Sequence, residues 1–355
     1  MPPLLCIADL KKGTREHSPL GAVIHAQVER LTLKEASNGK PFYEILFRDA
    51  AENMTLRAWA DTVAFESCKS SQKGDFVMIE GLFSHSGSFG LDAKGWEMNS
   101  LPEEAVDLLM EGSAEHRNQL DHAWEKIRNA TDTLQDPRLL ALCHKFLDQY
   151  GVRFRRAAAA RGNHHARRGG LLEHTSRMME CALVLCGVYA ELNRDLLIAG
   201  VLFHDTGKLW ETCPPERGFG LETELRGELL GHLSIGIELI NALWRELPKE
   251  GWETLLPSSE EVRLHLLHLV ASHHGQLEFG SPILPKTPEA ALLHFIDNID
   301  ARMDMFSAAY KSVPILENGA RAPMEWVRPL GVSPVPPLPR IAAGSDSSGI
   351  KDLLL

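Results

Sequence analysis

The alternation of apolar and polar residues changes its period along the chain. Up to about residue 100 the period is two, as in GAVIHAQVERLTLKEA and PFYEILFRD, and this pattern predicts strands. Five short strands in about 80 residues favour a small closed barrel of the OB-fold type. Beyond residue 101 the apolar residues recur at helical spacing. The pattern therefore predicts a multidomain protein, with an N-terminal all-β OB-fold barrel followed by an all-α part.

The same pattern suggests four regions. Residues 1–100 form the barrel, and residues 101–168 form a helical connector that ends in an arginine-rich stretch. Residues 169–308 are all-helical, and residues 309–355 are rich in proline, glycine and serine, which predicts an extended or disordered tail. Within the third region the predicted helices lie near residues 171–190, 194–207, 226–247, 259–274 and 287–308.

Length and charge narrow the class of protein. The 355 residues exceed the usual size of one hydrophobic core. A formal charge of −11 argues against non-specific coating of a polyanion, but bound divalent cations would still allow a nucleic-acid substrate. The six cysteines form no C-x-x-C pair, which is typical of a reducing compartment. With no signal peptide and no apolar run of about 18 residues, we expect a cytoplasmic protein that does not enter a membrane.

Histidines and aspartates recur on helical segments that otherwise read as buried. Such groups need a charged partner or a hydrogen bond in an apolar interior, and a bound metal would satisfy several of them together. The mixture of histidine and carboxylate without cysteine suits manganese, iron, cobalt or zinc, and disfavours a structural zinc site. The candidate ligands are His174, His204, Asp205, His232, His273 and Asp297.

These residues are enough for two ions. His174, His204, Asp205 and Asp297 would complete one site, while His232 and His273 would add a second that shares Asp205 as a bridge. Two ions about 3.5–4 Å apart activate a water molecule and stabilise the leaving oxygen at phosphorus. This arrangement predicts phosphoester hydrolysis. His274 lies beside His273 in SHHG, and the sequence leaves the choice between them open.

The order H…HD…D resembles the HD-domain phosphohydrolases, and within them the YhaM-type 3′→5′ exoribonucleases, which join an OB-fold to an HD domain. The stretches that carry the resemblance cover most of residues 20–306 and include LTLKEASNGKPFYEILFRD, NHHARRGGLLEHT, LLIAGVLFHDTGKLWE, GELLGHLSIGIELI and SHHGQLEFGSPILPKTPEAALLHFIDNIDARMD. The resemblance implies a Mn²⁺- or Co²⁺-dependent nuclease that trims single-stranded RNA from its 3′ end, with DNA as an alternative substrate. It assigns the six candidate residues as metal ligands, and Lys208 as a contact of the substrate phosphate.

Two further sets of residues suit a nucleic-acid partner. Aromatic side chains of the predicted strands would stack on bases or fill the barrel; they are Phe42, Tyr43, Phe47, Trp59, Phe83, Phe89 and Trp96. The stretch GVRFRRAAAARGNHHARR holds six arginines and no acid, and is either a solvated approach to the next helix or a phosphate-binding rim that includes Arg167 and Arg168. His164 and His165 close this stretch and are placed to reach the pocket.

Neighbouring acidic residues receive more ordinary interpretations. We expect Glu173 to face outward, and Asp300 and Asp304 either to orient histidines or to form salt bridges on the surface or between helices. Two other functions are compatible with the pattern, namely hydrolysis of a small nucleotide and single-strand binding without catalysis. The predicted barrel favours the exoribonuclease, because a mononucleotide hydrolase has no evident use for a strand-binding surface.

Overall fold

The computed structural model describes residues 2–86, 90–162, 165–311, 324 and 326–335. Its chain divides into two units, Met1–Asp304 and Met305–Leu355. In the second unit, the described residues include an isolated bridge between Val327 and Val332 around a turn. Most of the predicted tail, together with Phe89 and His164, lies outside the described residues.

The first hundred residues form six strands and two helices. The strands are β1 (Leu4–Leu5), β2 (Leu20–Glu35), β3 (Pro41–Arg48), β4 (Asn53–Trp59), β5 (Phe76–Ser86) and β6 (Gly90–Ser100), and the helices are α1 (Ile7–Glu16) and α2 (Val63–Lys69). The sheet order is β4-β3-β2-β5-β6, with β1 parallel to β2. The long strand β2 is central, because its first half pairs with β5 and its second half with β3.

The predicted closed barrel is not confirmed. Among the described residues the backbone ladder runs from β4 to β6 as an open path, and these two edge strands are not paired with each other. A side-chain contact does link them, since the indole N–H of Trp96 donates to the carbonyl oxygen of Arg57 at 3.4 Å. Alternating apolar residues reveal which face of a strand is buried but not which strands pair at the edges. The OB-fold therefore stays a prediction.

Ten helices in all are described in the chain, and eight of them follow the strands. These eight are α3 (Glu103–Glu111), α4 (Ala114–Asp132), α5 (Pro137–Phe154), α6 (Gly170–Val188), α7 (Arg194–Phe203), α8 (Leu225–Arg245), α9 (Ser259–Ser272) and α10 (Pro288–Lys311). Short 3₁₀ turns occupy Thr206–Leu209 and Leu277–Phe279. No helix in the described part of the chain is both long and apolar enough to cross a membrane.

Two hydrophobic clusters stabilise the strands and the helices separately. One gathers buried side chains between Ile7 and Met98, and the other gathers those between Ala123 and Ile296. Helices α4 and α5 contribute to the second cluster alongside α6 to α10, so the region predicted as a connector supplies part of the helical core. The helices that carry the candidate ligands pack around this second cluster.

Candidate metal centre

The six candidate ligands come from five places in the fold and converge on one centre. His174 lies in the second turn of α6, and His204 and Asp205 follow the end of α7. The remaining candidates lie on or beside later helices: His232 in α8, His273 at the end of α9, and Asp297 in α10. Residues far apart in the sequence thus meet because their helices pack around the same core.

The end of α7 explains how two adjacent residues face one cavity. Neighbours on a helix point about 100° apart, but α7 stops at Phe203, and Asp205 has a non-helical backbone with φ −112° and ψ 11°. The predicted helix to residue 207 was therefore too long. Gly207 is needed for a different reason, because a Cβ there would lie 1.9 Å from the carbonyl oxygen of His232.

One half of the centre is formed by His174, His204 and Asp297. The Nε2 atoms of His174 and His204 are 3.3 Å apart, and His174 Nε2 is 3.2 Å from Asp297 Oδ1. His174 and His204 are completely buried. Two imidazole nitrogens and a carboxylate oxygen that face one another this closely are a suitable donor set for a divalent ion.

The other half is formed by His232, His273 and His274. The Nε2 atoms of His232 and His274 are 3.1 Å apart, and the three rings have donor atoms within 4.8 Å of one another. Both members of the adjacent pair therefore reach the centre. His273 is almost fully buried, whereas the Nδ1 atom of His274 is buried without a hydrogen-bond partner.

Asp205 lies between the two halves. Its Oδ2 atom is 3.3 Å from His204 Nε2 and 2.6 Å from Lys208 Nζ. Its Oδ1 atom is 3.6 Å from His232 Nε2 and 3.5 Å from His273 Nε2, is buried, and has no hydrogen-bond partner. A buried carboxylate oxygen without a partner costs free energy unless a cation is bound there. The residues present therefore fit a divalent metal.

Four of the five imidazoles are oriented through their Nδ1 atoms. His204 Nδ1 donates to the carbonyl oxygen of Val201, and His273 Nδ1 to that of Val270, each at 2.8 Å. The other two bonds go to carboxylates, from His232 Nδ1 to Glu211 at 2.8 Å and from His174 Nδ1 to Asp300 at 2.7 Å. These bonds fix the orientation of each ring, with its Nε2 atom facing the centre.

The electrostatics of the centre favour ionised carboxylates and, because burial lowers their pKa values, neutral imidazoles at His273 and His274. Burial opposes ionisation of Asp205, but the charges of Lys208 and His204 hold its pKa well below the usual value. Burial also disfavours the charged form of His174, yet the hydrogen bonds that its ring donates to Asp297 and Asp300 raise its pKa to about 9. Burial lowers the pKa of His274 to about 3. A neutral imidazole is the form that binds metal.

A second layer of charged residues surrounds His174, and sequence reasoning missed part of it. Asp300 Oδ2 also accepts a hydrogen bond from His165 Nε2 at 2.9 Å. Glu173 was predicted to face outward, but its side chain is only 11% exposed and pairs with Arg167. The first turn of α6 is covered by the loop before it, so its carboxylate is not in solvent. The feature of the sequence that could have indicated this contact is the position of Glu173 directly before the predicted ligand His174.

The arginine stretch has structural partners. Arg168 donates to the carbonyl oxygens of Pro215, Glu216 and Gly218 at 2.8–3.1 Å, and Arg167 is paired with Glu173. Both side chains are only partly exposed, and each is held by hydrogen bonds to other parts of the protein. Their predicted contact with substrate phosphate stays a prediction.

The predicted aromatic contacts divide into core and surface. Phe47, Phe83 and Trp96 are buried in the strand cluster and Tyr43 packs against it. Trp59 is 36% exposed and pairs across β3 and β4 with Phe42, which is buried beneath it, with ring centroids 4.7 Å apart.

Comparison with known proteins agrees with this geometry. The HD-domain family model matches residues 171–302. A 3′-5′ exoribonuclease YhaM of Geobacillus sp. (strain WCH70) is 32% identical over 292 residues, which cover 82% of this chain and 85% of the relative. The 3′-5′ exoribonuclease YhaM of Oceanobacillus iheyensis is 31% identical over 290 residues, covering 81% and 86%. The chain therefore belongs to the family of the YhaM 3′-5′ exoribonucleases and is a hydrolase with an HD domain.

Proposed function

We propose that this protein removes nucleotides from the 3′ end of single-stranded RNA, with two divalent ions in the centre around Asp205. The observation that carries the proposal is the position of Asp205, whose two carboxylate oxygens face different sets of histidines. One set is completed by Asp297, and the other lies on α8 and α9. A carboxylate placed in this way is suited to bridge two ions.

The donor set points to a borderline or hard divalent ion. Imidazole and carboxylate suit Mn²⁺, with Co²⁺, Fe²⁺ and Zn²⁺ as alternatives. When bound, the two ions would polarise the scissile phosphate and lower the pKa of a bound water. His273 is the better candidate of the adjacent pair, because its Nδ1 atom is held by a carbonyl oxygen like that of His204.

Lys208 has the position expected for a phosphate contact. Its ammonium group is 2.6 Å from Asp205 Oδ2 and its side chain is only 12% exposed. A partly buried cation at this point would attract a non-bridging phosphate oxygen and stabilise the charge that grows in the transition state. Asp205 in turn holds the ammonium group in place before substrate arrives.

The strand region supplies a surface for the rest of the RNA. Phe42 and Trp59 form an aromatic pair, and the Arg57 guanidinium carbon lies 5.9 Å from the centre of the Phe42 ring. Aromatic rings beside cationic groups bind single strands by stacking on bases and neutralising phosphates. We therefore assign binding of the single-stranded RNA to residues 1–100, which is a role that an OB-fold would have, and hydrolysis to residues 169–308.

A gel assay tests the proposal directly. Purified protein is incubated with Mn²⁺ and a 5′-labelled single-stranded RNA, and the products are separated at single-nucleotide resolution. We expect a ladder that shortens from the 3′ end, no ladder with Asp205→Ala, and no ladder after chelation of the metal. The same oligonucleotide made of DNA measures the preference between the two nucleic acids. Intact RNA together with hydrolysis of mononucleotides would instead support a small-nucleotide hydrolase.

A further inference from the structure

His165 has a backbone conformation that is uncommon among residues with a Cβ atom. Its φ is +47°, and it is the only non-glycine residue with positive φ in the described part of the chain. Residues with a Cβ adopt this region at a cost of about 1–3 kcal/mol, and such residues cluster at functional sites. The His165 side chain is also completely buried. A strained and buried histidine beside a reactive centre calls for a specific explanation.

The side chain of His165 shares one oxygen atom with His174. Asp300 Oδ2 accepts from His165 Nε2 at 2.9 Å and from His174 Nδ1 at 2.7 Å. The position of that oxygen fixes the ring of His174, whose Nε2 atom faces Asp297 and His204. His165 is thus linked to the centre through Asp300, and its ring centroid lies 5.7 Å from that of the proposed ligand His174.

The backbone around His165 is held from several directions. The His165 N–H donates to Asp304 Oδ2 at 2.9 Å. Its carbonyl oxygen lies 2.0 Å from where a Cβ of Gly170 would be, so the loop and α6 approach as closely as glycine allows. The next carbonyl, that of Ala166, accepts from Arg48 Nη1 at 2.9 Å, and Arg48 is itself paired with Glu29 at 2.6 Å.

These contacts form a continuous path from the strands to the metal centre. Arg48 is at the end of β3 and only 7% exposed, so its bond to Ala166 is shielded from water. The path runs from Glu29 through Arg48, the 165–166 backbone and Asp300 to His174. The loop at residues 165–166 is therefore held by Arg48 of the sheet as well as by its own turns.

We propose that His165 is a positioning residue that, through Asp300, fixes the His174 ring in the orientation that binds metal, and that Arg48 of the strand region holds His165 in its strained conformation. The inference rests on the proposed metal centre. Partners of this kind typically change metal affinity or activity by about 10–100-fold when removed.

The test compares His165→Ala with His165→Gln by titration of the metal-free protein with Mn²⁺ in a calorimeter. The glutamine amide nitrogen extends about as far from the backbone as imidazole Nε2 and can donate to Asp300. We expect His165→Ala to weaken Mn²⁺ binding by about tenfold or more, and His165→Gln to recover most of this loss. The same comparison in a His232→Ala background isolates the half of the centre that contains His174.

Two further variants separate positioning from general destabilisation. His144→Ala is the matched control, because His144 is an exposed helical histidine bonded to Asp132 and remote from the centre. It should leave Mn²⁺ affinity unchanged. Arg48→Met removes the bond to Ala166 while keeping an apolar stem, and it should weaken Mn²⁺ binding in the same direction as His165→Ala. On a dinucleotide, both His165→Ala and Arg48→Met should lower kcat more than they raise KM.

Each outcome decides the matter. Unchanged Mn²⁺ affinity in folded His165→Ala would overturn the inference and leave the proposed function standing. Failure of His165→Gln to recover the affinity would show that only packing matters at this position, and would also overturn it. If His165→Ala does not fold, Asp304→Ala carries the test, because it releases the His165 backbone; unchanged affinity there has the same meaning. A wild-type protein that binds no Mn²⁺ would overturn the proposed function as well.

Discussion

At the residue scale, the candidate centre depends on atoms that would not touch the metal. Four imidazoles are held through Nδ1, two by carbonyl oxygens and two by carboxylates. The carboxylate partners, Glu211 and Asp300, fix the orientation of the rings to which they are bonded. The effect of a substitution on metal binding therefore depends on which half of the centre loses a ligand atom or the residue that orients it.

Counting bound ions would test the bridging role of Asp205. We expect wild-type protein saturated with Mn²⁺ to approach two ions per chain, His232→Ala to approach one, and Asp205→Ala to lose affinity in both halves because the shared donor is gone. Elemental analysis after gel filtration gives the ratio. A wild-type ratio of one under saturating metal would contradict the two-ion centre.

Lys208 should contribute to the chemical step more than to binding. Since it lies beside Asp205, Lys208→Ala should lower kcat on long RNA and on a dinucleotide alike, by a factor of about 10²–10³ as for loss of one electrostatic donor. Steady-state kinetics on both substrates measure this. Lys126→Ala, which breaks a surface ion pair with Glu180, is the control. A loss restricted to the long substrate would place Lys208 in strand binding instead.

The candidate ligands could be predicted from the sequence, but the residues that contact and orient them could not. Spacing along a helix showed that His174 and Asp297 lie on buried faces, and the structure brings them to 3.2 Å. The sequence pattern gave no reason to single out Glu211, which lies in a loop 21 residues before His232. It also placed Glu173 in solvent, because the loop that covers it is specified by tertiary contacts and not by periodicity.

At the scale of elements, the turn after α7 and the middle of α8 are in close contact. Predicted helices near 171–190, 226–247, 259–274 and 287–308 agree with the observed ones to within a few residues, whereas α7 ends early. The reason is local, because Asp205 leaves helical geometry and the chain continues as a 3₁₀ turn against α8. A periodic pattern of apolar residues does not reveal such a change of helix type.

Gly207→Ala should damage this contact. The added Cβ would lie 1.9 Å from the His232 carbonyl oxygen, so the backbone must move and His232 with it. Overpacking of this kind costs about 1–3 kcal/mol, and we expect both a lower free energy of unfolding and weaker binding of the second ion. Gly187→Ala, where nothing lies within 4 Å, should be neutral or slightly stabilising. Urea unfolding and Mn²⁺ titration report the two effects separately.

The start of α5 contains an ion pair whose contribution depends on pH. Asp136 caps the helix and pairs with Arg138, which is buried and also donates to the carbonyl of Pro257 at 2.7 Å. Burial opposes ionisation, but the bonds from Arg138 and from the backbone of Leu139 lower the pKa of Asp136. A lowered pKa means that the carboxylate stabilises the fold above the unfolded-state pKa of about 4. The contribution is lost as pH falls through the folded-state value.

Asp136→Asn keeps the cap but removes the charge. We expect it to lower the free energy of unfolding by about 1–3 kcal/mol at pH 7, because Arg138 loses its ion-pair partner while remaining buried. The difference from wild type should stay constant down to about pH 5 and shrink toward pH 3. Urea unfolding across that range measures it. A difference that grows as pH falls would contradict the assigned sign.

At the scale of the whole molecule, the strand and helical regions are joined by specific polar contacts. Besides Arg48 and Ala166, the backbone N–H of Phe219 donates to Gln27 Oε1 at 2.7 Å, and Phe76 packs edge-on against the Phe219 ring. Deleting residues 1–100 would remove both contacts along with the proposed binding surface. Loss of activity in a truncated protein could therefore come from weaker RNA binding or from a disturbed metal centre. A substitution on the surface of residues 1–100 separates these two effects.

Trp59→Ala provides that separation. It removes an exposed ring from the Phe42 pair without touching the contacts to the helices, so we expect KM for a long RNA to rise several-fold while turnover of a dinucleotide stays unchanged. Tyr189→Ala, which removes a comparably exposed aromatic side chain at the end of α6, is the control. Equal losses on both substrates would show that removal of the Trp59 ring disturbs the protein as a whole and would contradict a role in RNA binding alone.

The break inside α8 has a consequence for how this protein can vary. Gly231 has φ 68° and ψ 160°, so the helical path is interrupted one residue before His232. In a continuous helix, each residue inserted upstream would rotate everything beyond it by about 100°. Here the angular register starts again at His232, while Gly227 fits against the Trp210 carbonyl oxygen on the other side of the break. Residues inserted between Gly227 and Gly231 would therefore not pass their rotation on to His232, whose orientation is set by the helix that follows the break.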